Sequence, residues 1–275
     1  DTDNLLVLLQ DSQGRFTNRQ SVLSMEGGLD GVRSLAAGDI DGDGRLDLVA
    51  AGRFSDDLAW FRQVSGGVFS PPVSIDTGGL LKDPLQLLAE DINRDGMVDL
   101  LAIGNESDNV VLFVQRADRE AFFLYNLALA EGSGPVALAC GDLRGDSMPD
   151  IAVASAAGLS IFEQAEGDFT ATGISTPGVE YSPTGLLAVD FNGNGRLDLV
   201  LSNALPPGSI EIFSERAGAG FTRSQVLSGE NVQTAGGAFL PSAMVQADLD
   251  GDGEKDFVVA NRSGDEMTVF WGGRR

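Results

Sequence analysis

Oxygen-bearing side chains recur in five short segments with one spacing. Numbered from the first residue of a nine-residue loop, positions 1, 3, 5 and 9 are Asp39, Asp41, Asp43 and Asp47 in the first copy. The second has Asp91, Asn93, Asp95 and Asp99, and the fourth Asp190, Asn192, Asn194 and Asp198. The fifth has Asp248, Asp250, Asp252 and Asp256. The third keeps Asp142, Asp146 and Asp150 but places Arg144 at position 3 and Ser147 at position 6, where the others have Gly. Oxygens at positions 1, 3 and 5 of a tight loop converge on one point. The position-7 backbone carbonyls, of Arg45, Met97, Met148, Arg196 and Glu254, can join them, and position 9 can close the shell. A hard cation with about six to eight oxygen ligands, calcium above all, suits such a set. About four sites are expected. The first and fifth should be strongest, then the second, then the fourth. The third should be weak or empty, with Arg144 pairing Asp142 or Asp150 in place of the ion.

Single Asp-Gly clusters are ordinary hydrophilic turns, but five in register are a repeat. The first Asp recurs every 48–58 residues, which makes the fold an array of one supersecondary unit. Each loop runs into an apolar segment such as Leu48-Val49-Ala50 or Phe257-Val258-Val259. Position 12 carries no carboxylate and the flanks are short and β-branched, which excludes an EF-hand.

This pattern, carried by Ala37-Gly38-Asp39 through Asp47-Leu48-Val49 and its four copies, resembles the FG-GAP/VCBS repeat family. That family includes the calcium-loop repeats of integrin α-subunit propellers. The resemblance implies an all-β fold, a β-propeller of four-stranded antiparallel blades. The first unit parses as strands near Ser34–Gly38, Asp47–Ala51, Leu58–Arg62 and Val68–Ile75, with a Gly66-Gly67 turn. Equivalent third strands fall at Val110–Val114, Leu159–Glu163, Ile210–Phe213 and Met267–Trp271. The chain opens on a third-type strand, Asn4–Gln10, and a fourth-type segment near Arg19–Leu23, and closes on three strands. One propeller domain over residues 1–275 is expected, of five to six blades or a segment of a seven-bladed ring. The missing initiator Met fits a processed or truncated product.

Composition narrows the function. Lys and Arg number 18 against 41 Asp and Glu, for a net charge of −23, so nucleic acid is an improbable partner. Four calcium ions would lower that charge to −15, so metal should stabilise the fold. No run approaches a membrane span, and millimolar calcium is an extracellular condition. A secreted or cell-surface location is expected. Cys140 sits in an apolar strand and should be a buried, inert thiol. There is no His, which removes His-dependent catalysis and the usual zinc ligands. The expectation is a non-catalytic, calcium-binding interaction module for adhesion or surface assembly, with a protein or glycan partner. A lectin-like propeller, or an accessory domain of a polysaccharide-active protein, is the alternative. A self-assembling filament subunit is a further one, because incomplete end units leave strand edges available. The partner face should be the one opposite the cation loops. It would be built from segments 173–184 (with Glu180 and Tyr181) and 229–242 (with Phe239), plus Arg53, Asn105, Pro206 and Arg262, with Tyr181 and Phe239 as apolar anchors.

Overall fold

The computed structural model describes residues 4–24, 29–165, 167–174, 181–216, 220–228, 239–263 and 266–272. Two compact units divide the chain, Asp1–Ala128 and Leu129–Arg275.

In the first unit, β1 (Asn4–Gln10) and β2 (Phe16–Ser24) form an antiparallel hairpin. Blade one follows with β3 (Val32–Gly38), β4 (Asp47–Gly52) and β5 (Asp57–Phe61). The single fourth strand expected at Val68–Ile75 is instead two pieces. A small hairpin of β6 (Gln63–Ser65) and β7 (Val68–Phe69) precedes β8 (Val73–Ile75), which completes the blade against β5. Pro71 and Pro72 lie at the break; neither has an N–H to give a ladder. Blade two is β9 (Pro84–Glu90), β10 (Asp99–Gly104), β11 (Asn109–Gln115) and β12 (Phe122–Ala128).

The second unit repeats the plan. Blade three is β13 (Ala137–Gly141), β14 (Asp150–Ser155), β15 (Gly158–Ala165) and β16 (Asp168–Ile174). Blade four is β17 (Pro183–Val189), β18 (Asp198–Asn203), β19 (Ser209–Arg216) and β20 (Gly220–Ser228). The fifth sheet has three strands among the described residues, β21 (Pro241–Ala247), β22 (Asp256–Asn261) and β23 (Glu266–Phe270). Five blades of consecutive antiparallel strands, each twisted sheet packed on the next within its unit, make this a β-propeller.

Burial follows strand position. The second strands β10, β14 and β18 are buried along their whole length, as a strand covered on both faces must be. Outer strands such as β12 alternate. Blade faces meet in shared cores. Val49 and Trp60 of blade one pack with Leu100, Val111 and Phe113 of blade two, and Ala139 and Ile161 of blade three with Leu199 and Phe213 of blade four. Small residues let the blades approach. A Cβ on Gly38 would stand 2.9 Å from Val98 of the next blade, and one on Gly141 2.6 Å from Leu197. Cys140 is half-buried rather than buried, because its short strand lies at the blade's inner edge.

Phe113 is fully buried, whereas Leu46 is 60% exposed. Phe113→Ala should therefore cost about 3–5 kcal/mol, and Leu46→Ala less than about 0.5 kcal/mol. Urea unfolding of the two variants checks both.

Candidate metal centres

Each acidic loop is the hairpin connection between the first and second strands of a blade. Its closing pair is the last residue of the first strand opposite the position-9 Asp. The five pairs are Gly38 with Asp47, Glu90 with Asp99, Gly141 with Asp150, Val189 with Asp198 and Ala247 with Asp256.

Inside the loops one hydrogen-bond pattern recurs. The position-1 carboxylate accepts the position-6 amide in all five, from Gly44, Gly96, Ser147, Gly195 and Gly253, at 2.7–3.1 Å. The position-5 side-chain oxygen accepts the position-7 amide in all five, at 2.8–2.9 Å. Position 6 is left-handed, as the sequence required, with φ of 82–93° at its glycines and 70° at Ser147. Position 4 is left-handed as well, at Gly42, Gly145, Gly193 and Gly251, and at Arg94 with φ 58°. Sequence reasoning missed this second turn point, although Gly fills it in four loops of five. It also missed position 2. Ile40, Ile92 and Leu143 are buried, pinning their loops to the core, while Leu249 is half exposed.

Carboxylates converge in two loops. One oxygen each from Asp39, Asp41 and Asp43 lie within 4.8 Å of one another, as do oxygens of Asp248, Asp250 and Asp256. Asp39 Oδ1 is buried and accepts no hydrogen bond, which an arriving cation would satisfy. These donors fit a hard cation. Asp39, Asp41 and Asp43 would hold it in the first loop, and Asp248, Asp250 and Asp256 in the fifth. When bound, the ion would supply charge compensation and cross-linking. In the second loop Asn93 turns its amide to Asp95 Oδ2 (2.9 Å), and in the fourth Asn192 turns its own to Asp198 Oδ2 (2.9 Å).

The third loop carries its own cation. Arg144 Nη2 lies 2.8 Å from Asp146 Oδ2, Nε 3.4 Å from Asp150, and Nη1 3.6 Å from Glu163. Its guanidinium also donates to the Gln164 carbonyl. Of the two partners expected for Arg144, the structure gives Asp150.

Position 9 has a second task. Asp47, Asp99, Asp150, Asp198 and Asp256 are at most 1% exposed. In four of them Oδ1 accepts an amide at or just past the end of the third strand: Gln63 and Gln115 at 2.7 Å, Gln164 and Gly272 at 2.9 Å, for Asp47, Asp99, Asp150 and Asp256 respectively. Oδ2 of Asp99 and of Asp256 accepts the position-2 amide of its own loop, and Oδ2 of Asp47 accepts Trp60 Nε1. Burial pushes Asp99 up to about 6, against the hydrogen bonds from Gln115 and Ile92. Burial also raises Asp47, Asp150 and Asp198.

The expected partner anchors are corrected. Tyr181 is 6% exposed, and its hydroxyl donates to Glu211 Oε2 at 3.3 Å; Phe239 is fully buried among Val200, Ile212 and Phe257. Both rings pack loops down and are not available to a partner. Glu180, and most of segments 173–184 and 229–242, lie outside the residues whose side chains are described. Of the other residues expected on that face, Arg53 is exposed and paired with Asp83.

Two outcomes follow from this geometry. A carboxyl whose folded value lies above its unfolded 3.8 favours the fold while protonated, and that contribution is lost as pH rises from about 4 to about 6. In EDTA the melting temperature should therefore fall over that range, with a shallower slope in Asp99→Asn; scanning calorimetry reads both. Arg144→Asp restores the acidic pattern of the other loops, so it should bind one more calcium ion per chain by titration calorimetry and melt lower than wild type in EDTA.

No curated protein matches the chain by sequence. Solved structures with the same fold include an Agrocybe aegerita lectin that recognises non-reducing terminal N-acetylglucosamine (TM-score 0.62, 18% identity, 96% of this chain and 73% of that one). Another is the periplasmic gluconolactonase of Pseudomonas aeruginosa (0.62, 16%, 95% and 72%), and a third a candidate 6-phosphogluconolactonase of Bacteroides uniformis (0.57, 15%, 97% and 76%). These neighbours correct the expectation that the chain is no enzyme. Lactonases are built on this fold, so a propeller does not exclude catalysis. A family model for the FG-GAP-like repeat matches residues 1–50, 39–102, 91–153 and 142–201, each match but the first running from one acidic loop past the next. With well over half of its length matched, the chain belongs to the FG-GAP-like repeat family.

Proposed function

We propose that this chain is a calcium-stabilised extracellular β-propeller whose loops hold a rigid face toward a protein or glycan partner. The observation that carries the reading is the shared framework of the five loops, with carboxylates converging at Asp39, Asp41 and Asp43 and at Asp248, Asp250 and Asp256. The net charge of −23 supports it, since bound cations relieve self-repulsion. So do the buried position-9 carboxylates, each beside a place where a cation would offset its charge. Calcium at millimolar concentration is characteristic of the extracellular space, and weak extracellular calcium modules work there.

A second reading, hydrolysis of a sugar lactone, draws on the gluconolactonases among the structural neighbours. Turnover of δ-gluconolactone above the buffer rate, lost on heat denaturation, would favour it.

The calcium reading has a direct test. Calcium at about a hundred times its dissociation constant adds about 2.7 kcal/mol per site. Across two to four sites, millimolar calcium should raise the melting temperature by about 10–20 °C over EDTA, and equal magnesium should do much less. The double variant Asp41→Ala, Asp43→Ala, which removes two of the three converging carboxylates, should bind one calcium ion fewer. Equal melting in EDTA and calcium would overturn the reading.

A further inference from the structure

The turn between β4 and β5 presents an aromatic ring that its fold does not require. The Arg53 and Phe54 amides donate to the Gly31 and Asp30 carbonyls, each at 3.0 Å. In blade two the Asn105 and Glu106 amides donate to Asp83 and Lys82 in the same way, with Glu106 standing where Phe54 stands. The backbone pattern therefore tolerates a charged side chain. Phe54 is nevertheless 70% exposed.

Its ring is also held in place. One side lies on Gly31, where a Cβ would come within 2.5 Å of Cδ2. The Arg53 guanidinium sits 5.6 Å from the ring centroid. That guanidinium is fixed in turn by Asp83, Nε to Oδ1 at 2.5 Å and Nη2 to Oδ2 at 3.2 Å. Asp83 is buried and left-handed, and its amide donates to Asp56 Oδ1 at 2.8 Å. Lys82 Nζ pairs with Asp56 Oδ2 at 2.8 Å, and the Glu106 charge acts on both Arg53 and Lys82. The result is one flat apolar face, backed by main chain and bordered by positioned donors and acceptors.

We propose that Phe54, with Arg53 held beside it by Asp83, binds a pyranose ring of a neutral saccharide. A pyranose has an apolar face of C–H groups that matches the negative face of an aromatic ring. The hydroxyls around its rim are spaced for planar, charged hydrogen-bonding groups such as a guanidinium or carboxylate. A lone ring among charges is too small to seed a stable protein interface, which needs about 800 Å² per partner and an apolar centre. The protein's net charge of −23 disfavours an anionic sugar. The site deepens the partner-binding reading above and rests on it, naming a sugar as what this loop face takes.

The test uses calcium-saturated protein and saturation-transfer NMR with the methyl glycosides of glucose, galactose, mannose and N-acetylglucosamine. At least one should receive transfer, strongest at the protons of one sugar face. Phe54→Ala should weaken its binding about tenfold or more, and Arg53→Gln should weaken it less. Tyr125→Ala, which removes another half-exposed ring on β12, should leave it unchanged. Silence from all four sugars overturns the proposal, as does binding that survives Phe54→Ala or falls equally with Tyr125→Ala. The calcium-dependent melting shift is read on the same samples. Sugar silence with that shift intact discards the sugar site alone, and loss of the shift discards the wider reading.

Discussion

A buried carboxylate at the head of each second strand is the constraint on which the rest depends. Desolvating a carboxylate is costly unless hydrogen bonds or a nearby cation compensate. In four of the five blades the compensation comes from one place, an amide at or just past the end of the third strand. That single bond ties the loop's end, the second strand and the exit of the third into one joint. It also fixes where the loop closes, because the Asp is half of the closing pair in all five blades. With Oδ1 on the third-strand exit and Oδ2 on the position-2 amide, Asp99 and Asp256 hold their loops from both ends.

The same framework with different substituents produces graded sites. Positions 1 and 5 make identical bonds to loop amides in every copy, so the loop's shape does not depend on which oxygens are charged. What varies is the charge gathered. The first and fifth loops gather three carboxylates at one point, while the third meets its own guanidinium. Within the first unit the loops are not isolated. Gln115 Nε2 of blade two donates to the Ile40 carbonyl at 2.6 Å, and the Arg119 guanidinium lies against Gly42, where a Cβ would be 2.4 Å away. Whatever fills the first loop therefore bears on how blade two packs against it.

Much of this was legible in the sequence because both signals are periodic. The Asp spacing marks the loops, and the apolar run after each position 9 marks a strand covered on both faces. Even Arg144 could be read as an internal cation from charge alone. What escaped were features set by tertiary packing. Position 4 is left-handed at Arg94, a residue that gives no hint of it. Tyr181 and Phe239 look like anchors on long loops, yet a ring under a loop and a ring on its surface have the same sequence. Phe54, in a short turn, has the opposite fate because Gly31 and Arg53 hold it outward. The split of the first blade's outer strand could have been foreseen from Pro71 and Pro72, which sit inside the segment read as continuous. Absence of His excludes one kind of chemistry, not all of it, and propellers that are lactonases show that the fold itself is compatible with catalysis.

The most direct measurement is a crystal structure of protein grown in calcium, with anomalous data collected at a long wavelength. Peaks are expected in the loops headed by Asp39, Asp91, Asp190 and Asp248, and none in the loop headed by Asp142, where Arg144 should lie between Asp146 and Asp150. Empty loops in millimolar calcium, or an ion in the third loop with Arg144 displaced, would contradict the claim that one carboxylate framework builds graded cation sites.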